Sequence, residues 1–543
     1  MSTAEGRQPM GSSDGYTVIS GAEVADGGGG PLVRGDILLA GGRIVEVGQP
    51  GAYAATDGVV IAAAGLVVAP GFVDVHSHAD NAPLLDEHDT TKILQGVTTE
   101  VVGNCGFSLA PLEAPHEETL AAFSGRIFPP LSWGWHGFGE FLAWADAGGY
   151  VTNYAPLVGH GTLRLAVLGI ADTAPDSDEL TRMGRLLDEA VEAGVFGMSS
   201  GLIYPPGLFS GTDELVELAR RLPDGLVYAT HMRNEGSRLL ASVDEAIEIG
   251  RRAGVRVEVS HLKASGRANW GMVDGALDRL DLARREGVAV TQDVYPYDRS
   301  STMLTTCLPP WFQEGGNQAV LARLDDPASV ARAGAEVDGP RPENGWEGQI
   351  RTAGYAGIMI SSTGSHEFEG RNLVELAEEL GVEPFDALVH VLRAERLRVS
   401  MVIASMNESD VDTVLAHPST MIGSDGLPPG VGGKPHPRLY GTFPRVLGRY
   451  VRDRGVLGLP EAIARMTSLP ARTFGLTGRG RIAPGYVADL VAFDPAKIAD
   501  AGDYRDPGHP PVGISWVMQA GRIAVRDGRW LGARLGARLR PSA

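Results

Sequence analysis

Cysteine is scarce: Cys105 and Cys307 are the only two in 543 residues. Two thiols build no disulfide framework, and they fit a reducing compartment in which one is available for chemistry. No run approaches the roughly 20 apolar residues of a membrane span. The opening stretch Met1–Gly15 is polar and rich in Gly and Ser, without the apolar core of a signal peptide. A soluble, cytoplasmic protein with no membrane partner is expected. Basic residues are outnumbered, 47 Lys and Arg against 67 Asp and Glu, for a formal charge of −20. That argues against nucleic acid, which is met with a basic patch. An anionic small molecule would need Lys or Arg placed locally against the overall field.

What is present is ordinary for a globular chain, 43% hydrophobic and 21% charged. The length suggests a large core and more than one domain. Seventy-three glycines and 35 prolines imply many tight turns and loops. Short β-type runs separated by glycine occupy 16–19, 35–39 and 43–47, and the same texture returns at 488–493, 514–518 and 521–525. Neither end is long enough for a good β domain alone, so the two are expected to pair into one small β-sandwich.

Between the ends, strand and helix alternate, the pattern of a parallel α/β architecture. The first strand lies in Ala69-Pro70-Gly71-Phe72-Val73-Asp74-Val75-His76-Ser77-His78. Seven more are expected at 97–104, 153–160, 194–201, 226–231, 255–261, 288–295 and 420–425, with helical periodicity at 178–193, 242–253 and 273–286. Eight such units in order predict a (β/α)₈ barrel. The expected divisions are 1–66 and 471–543 for the sandwich and 67–470 for the barrel. An insertion at about 297–419 is expected to cover the barrel mouth. Its middle, 327–349, is rich in charge, Gly and Pro and reads as exposed loop.

The carboxyl ends of barrel strands carry active sites, and here they carry a consistent set. His76 and His78, two apart on a strand, point to the same side. Cys105 follows the second strand, His231 the fifth, His261 the sixth and Asp425 the eighth. Zinc takes imidazole and thiolate readily, and a catalytic site uses three protein ligands. Cys105, His231 and His261 make such a set, whereas His76, His78 and Asp425 form a second, looser position. Asp425 is also placed to move a proton between water and leaving group.

These residues resemble the amidohydrolase superfamily, and within it the N-acyl-D-amino-acid deacylases (D-aminoacylases), over nearly the whole chain. The resemblance is carried by Pro70–His78, Gly103-Asn104-Cys105-Gly106, Gly159-His160-Gly161-Thr162-Leu163-Arg164 and Ser199–Gly207. It continues in Thr230-His231-Met232-Arg233-Asn234-Glu235, Gly423-Ser424-Asp425-Gly426 and His436–Arg445. It implies one tight zinc on Cys105, His231 and His261, a weak second site using His76, His78 and Asp425, and Asp425 as general base and acid. Many dinuclear relatives bridge their metals with a modified lysine on the fourth strand. Residues 194–200 hold none, and the resemblance gives Cys105 the bridging or liganding role. It also assigns the substrate carboxylate to Lys263, Tyr295 and Ser301.

The expected reaction is hydrolysis of an N-acyl-D-amino acid, or of a dipeptide with a carboxyl-terminal D-residue, by a monomer or small homo-oligomer. The alternatives are a cyclic amide hydrolase of dihydroorotase or hydantoinase type, which the absent lysine opposes, and a metal-free scaffold, which the complete donor set opposes. Arg233, Arg438 and His160 are further pocket candidates with equally good structural roles. Trp133, Trp135 and His136 are weaker candidates for acyl recognition.

Overall fold

The computed structural model describes residues 15–113, 116–341 and 345–542. All but the last residue of the polar opening stretch therefore lies outside the described residues. Eight short strands form the centre: β1 (Phe72–Asp74), β2 (Val97–Val102), β3 (Asn153–Pro156, resumed at Val158–Gly159) and β4 (Gly197–Gly201) come first. β5 (Val227–His231), β6 (Arg256–Val259), β7 (Val290–Val294) and β8 (Thr420–Ile422) follow. Each pairs in parallel with the next. The circuit closes between β8 and β1 through a parallel bridge of Ser77 with Gly426. There Asp425 N donates to His76 O at 2.7 Å and His78 N donates to Gly426 O at 3.1 Å. The expected strands are all found, in the expected order. β2 and β5 are buried along their whole length, because strands of a parallel barrel are covered on both faces.

The helix expected at 178–193 spans Ser177–Ala193. Asp176 and Glu179 form a reciprocal capping box at its start, and Gly194 closes it in the left-handed conformation. Those local signals made its ends readable.

The two chain ends combine into one nine-stranded sheet. The join is antiparallel, Val67–Pro70 against Leu490–Phe493. Ile19, Ile37, Leu39, Val68, Leu490, Trp516 and Met518 share its core. Gly71 is the crossing point from this sheet to the barrel. A Cβ there would lie 2.3 Å from the Thr98 side chain, so only glycine lets the chain pass.

The insertion after β7 folds as an antiparallel sheet of Ser300–Met303, Val399–Ile403 and Ile358–Thr363, with Val399–Ile403 central. It has its own core, including Leu304, Phe312, Leu324, Ile360, Leu388 and Met401. The loop expected at 327–349 is in part wrong. Pro327–Asp338 is a helix, capped by Asp326, whose carboxylate accepts from Ala328 N and Ser329 N. Proline at the first helical position is a start signal rather than a breaker, and composition alone hid it. Residues 342–344 of that expected loop lie outside the described residues. The insertion does reach the barrel mouth, where Thr302 Oγ1 lies 2.9 Å from Tyr204 Oη. Among the described residues, no helix is long and apolar enough to cross a membrane.

A buried charge cluster ties the closing strands together. Lys92 Nζ lies 3.2 Å from Asp74 Oδ2 and 3.3 Å from Glu100 Oε2, and it donates to Ser77 Oγ at 3.1 Å. Asp74 Oδ1 accepts from His76 N at 3.2 Å and from Ser424 N at 2.8 Å. One carboxylate thus spans β1 and β8 just below His76 and Asp425. Lys92→Met leaves two buried carboxylates without their cation and is expected to cost about 3 kcal/mol of stability. Calorimetric unfolding of the variant checks this; an unchanged transition would mean the cluster stabilises nothing.

Candidate metal centre

The strand ends bring the six expected donors together. His231 is the last residue of β5; His76, His78, Cys105, His261 and Asp425 lie in the loops immediately after β1, β2, β6 and β8. All are buried. Cys105, His261 and Asp425 have φ of 54°, 35° and 49°. Side chains rarely adopt this left-handed region, and such strain gathers at functional sites. Around Cys105 the chain is confined by Gly103 and Gly106, whose added Cβ atoms would meet Leu157 O at 2.2 Å and Gly201 N at 2.7 Å.

The donors fall into two groups that share the thiol. Cys105 Sγ lies 3.6 Å from His231 Nδ1 and 3.6 Å from His261 Nε2, and these two nitrogens are 2.9 Å apart. On its other side Sγ is 3.3 Å from His76 Nε2. Asp425 Oδ1 stands 3.6 Å from His76 Nε2 and 3.2 Å from His78 Nε2. Each group's ligand atoms lie within 4.8 Å of one another. Burial alone would push the Cys105 thiol up, but the charge of His76 and hydrogen bonds to His231 and His261 hold it well below the usual thiol range. Burial would likewise raise Asp425, and Arg438 and His76 outweigh it to keep the carboxylate ionised. Imidazole nitrogens converging on a buried, ionised thiol are the donor set of a zinc-class cation. The residues fit such an ion.

Around these donors lies a shell that the sequence reading did not single out. Asp293, on β7, holds His76 Nδ1 at 3.3 Å through Oδ2 and accepts from His261 N at 2.9 Å through Oδ1. Glu235 Oε1 stands 3.0 Å from His261 Nδ1, and Oε2 stands 3.5 Å from His231 Nε2. Burial would raise the Glu235 carboxyl, yet Lys263 and the two histidines hold it well below the usual range. The available signal was an acid four residues after a ligand in Thr230–Glu235. Asp293 carried none, because within Val290-Thr291-Gln292-Asp293-Val294 it follows two other polar residues and does not stand out.

Lys263, Tyr295 and Ser301 line one cavity with His231, His261 and Asp425. Lys263 Nζ donates to Glu235 and lies 5.8 Å from the centre of the Tyr295 ring. Arg438 belongs to the site: Nη1 is 2.9 Å from Asp425 Oδ2, Nη2 donates to Ser301 O at 3.2 Å, and the guanidinium lies over Tyr295. The other candidates do not line this cavity. Arg233 pairs with Glu245 and donates to Leu208 O and Ser210 O. His160 pairs with Glu214 at 2.8 Å. Trp135 donates to Leu109 O, His136 pairs with Glu117, and Trp133 packs against Trp135.

A parallel barrel with imidazole, thiolate and carboxylate on its carboxyl rim defines a metal-dependent hydrolase. Residues 59–525 match the amidohydrolase family, and the chain belongs to it. It is similar to an N-acyl-D-aspartate deacylase of Alcaligenes xylosoxydans xylosoxydans, 37% identical over 527 residues, 96% of this chain and 93% of that one. A solved D-aminoacylase, studied for its binuclear metal centre with one-metal activation and second-metal attenuation, has a TM-score of 0.81 at 36% identity. That match covers 96% of this chain and 99% of the other. An N-acyl-D-glutamate deacylase from Bordetella bronchiseptica, complexed with zinc and a phosphonate mimic of the tetrahedral intermediate, gives 0.79 at 34% identity, over 97% and 100%.

Proposed function

We propose that the protein hydrolyses N-acyl-D-amino acids, or short peptides ending in a D-residue, to a carboxylate and a free D-amino acid. The observation that carries this reading is the shared cavity, which sets the His231, His261 and Asp425 donors beside a cation and two hydroxyls. A linear substrate with an amide one atom from its carboxylate needs those two features side by side.

In this reading Cys105, His231 and His261 would hold a tight zinc ion, and His76, His78 and Asp425, in the donor group that also contains Cys105, would hold a weaker second one. A bound ion supplies Lewis acidity toward the amide carbonyl and acidifies water near neutral pH. The chain's own groups do the rest. Asp425 takes the proton of the attacking water and returns it to the leaving nitrogen. Arg438, against Oδ2, keeps that carboxylate charged and fixes its rotamer. Lys263, Tyr295 and Ser301 anchor the substrate carboxylate through charge-assisted hydrogen bonds. The Tyr295 hydroxyl now lies 3.5 Å from Met406 Sδ, a weak acceptor that a carboxylate displaces. The insertion, supplying Ser301 and Thr302 to the cavity, forms part of the binding site as well as its cover.

The test is a hydrolysis panel of N-acetyl-D- and N-acetyl-L-amino acids, Xaa-D-Xaa dipeptides and a hydantoin, with zinc measured alongside. D-configured linear amides are expected to be cleaved at least about 10²-fold faster than their L-counterparts, as lost polar pairing in a built site implies. Cleavage restricted to the hydantoin would overturn the proposal in favour of a cyclic amide hydrolase.

A further inference from the structure

Glu235 touches neither the thiol nor Asp425, yet it reaches three groups that the proposed reaction needs. We propose that Glu235 is a positioning residue that couples the Cys105–His231–His261 metal group to the carboxylate anchor Lys263. The inference rests on the metal-ligand reading above.

Its placement is set by the backbone. The chain turns sharply after β5, and Ser265 N donates to Glu235 O at 2.7 Å. That bond pins the Glu235 backbone to the loop after β6, between the two histidine-bearing strand ends. The buried carboxylate then divides its oxygens. Oε2 is 3.5 Å from His231 Nε2, a buried nitrogen that has no hydrogen-bond partner among the described residues. Oε1 is 3.0 Å from His261 Nδ1 and accepts from Lys263 Nζ.

Each ring turns its other nitrogen to Cys105: Nδ1 of His231 and Nε2 of His261, both at 3.6 Å. An ionised carboxylate only accepts hydrogen bonds. His261 Nδ1 is also met by Lys263 Nζ at 2.8 Å; with a metal on His231 Nδ1 and His261 Nε2, the remaining N–H of each ring would face the Glu235 carboxylate. The two rings differ in which nitrogen faces the thiol, and one carboxylate lies against the outer nitrogen of each.

The same carboxylate balances the ammonium of Lys263. A substrate or product carboxylate arriving at Lys263 competes with Glu235 for that charge. Glu235 is then freer to accept from His261, which strengthens the ring as a donor. Metal affinity and carboxylate affinity are thus linked, and the coupling must be reciprocal.

The test measures zinc affinity by chelator competition, without and with saturating D-leucine, for the wild type, Glu235→Gln, Glu235→Asp and Lys263→Met. Wild-type affinity is expected to tighten when D-leucine is bound. Glu235→Gln is expected to weaken zinc by about 10–100-fold and to abolish the effect of D-leucine. Lys263→Met is expected to bind zinc about as tightly as the D-leucine-bound wild type and to show no further effect of D-leucine, since the competing ammonium is gone. Melting of the zinc-free proteins separates these outcomes from a general loss of structure. If Glu235→Gln does not fold, Glu235→Asp carries the test, because one methylene less keeps the charge and loses the reach. Folded Glu235 variants that bind zinc within about threefold of wild type, or keep the D-leucine effect, overturn the coupling. A wild type that binds no zinc overturns instead the metal reading beneath it.

Discussion

Asp425→Asn is expected to retain the tight zinc and lose turnover by about 10²–10⁴-fold, the usual worth of a positioned general acid–base. The substitution keeps the shape of the side chain and removes its capacity to carry a proton. Cys105, His231 and His261 form a donor group that does not include Asp425, so the metal content of that group should not change. Lys263, Tyr295 and Ser301 are also untouched, and KM should stay close to the wild-type value. The loss belongs in kcat, the pattern of an interaction made in the transition state alone. The measurement is steady-state kinetics with elemental analysis of the same preparation. A kcat within about tenfold of wild type would mean that another base serves the reaction.

Cys105→Ala acts on a different quantity. The thiol belongs to both donor groups, so its loss reduces the tight group to two imidazoles and the loose one to His76, His78 and Asp425. Four-ligand zinc sites bind with about 10–16 kcal/mol, or roughly 2.5–4 kcal/mol for each ligand. A zinc affinity lower by at least about 10²–10³-fold is therefore expected, together with loss of activity after dialysis. Full zinc occupancy in the variant would remove Cys105 from the ligand set. Cys307 provides the internal control. It is fully buried in the insertion, 3.7 Å from Met401 Sδ, and burial pushes its thiol up. Cys307→Ala should leave zinc content unchanged.

The donors were legible because barrel strands are short apolar runs, and a polar residue that ends one stands out. His76 and His78 also carried the period of two, which put them on one side of a strand. The order of the strands followed from the alternation of periods, and the closure of β8 on β1 agrees with it. What escaped was of two kinds. The helix Pro327–Asp338 escaped because charge and proline were read as bulk composition and not by position. The supporting shell escaped because it depends on approach in space. Asp293 meets His76 from a strand 217 residues away; Arg438 was a pocket candidate in the sequence, but its hold on Asp425 shows only once the loop beyond β8 has turned back. Lys263 was found, although its partner Glu235 was not. A resemblance names the residues that meet the substrate more readily than the residues that hold those in place.

The left-handed backbone at Cys105, His261 and Asp425 bears on the history of such a chain. Each of these conformations costs an L-residue roughly 1–2 kcal/mol that glycine avoids. A single-nucleotide change turns either a cysteine or an aspartate codon into a glycine codon. At Asp425 that change would relieve the backbone but leave the buried Arg438 guanidinium without its carboxylate, at a cost larger than the strain removed. Glycine at Cys105 or Asp425 relieves the backbone and empties a buried site in the same change, so the corners that strain the rim are also the ones that the packing around them will not give up.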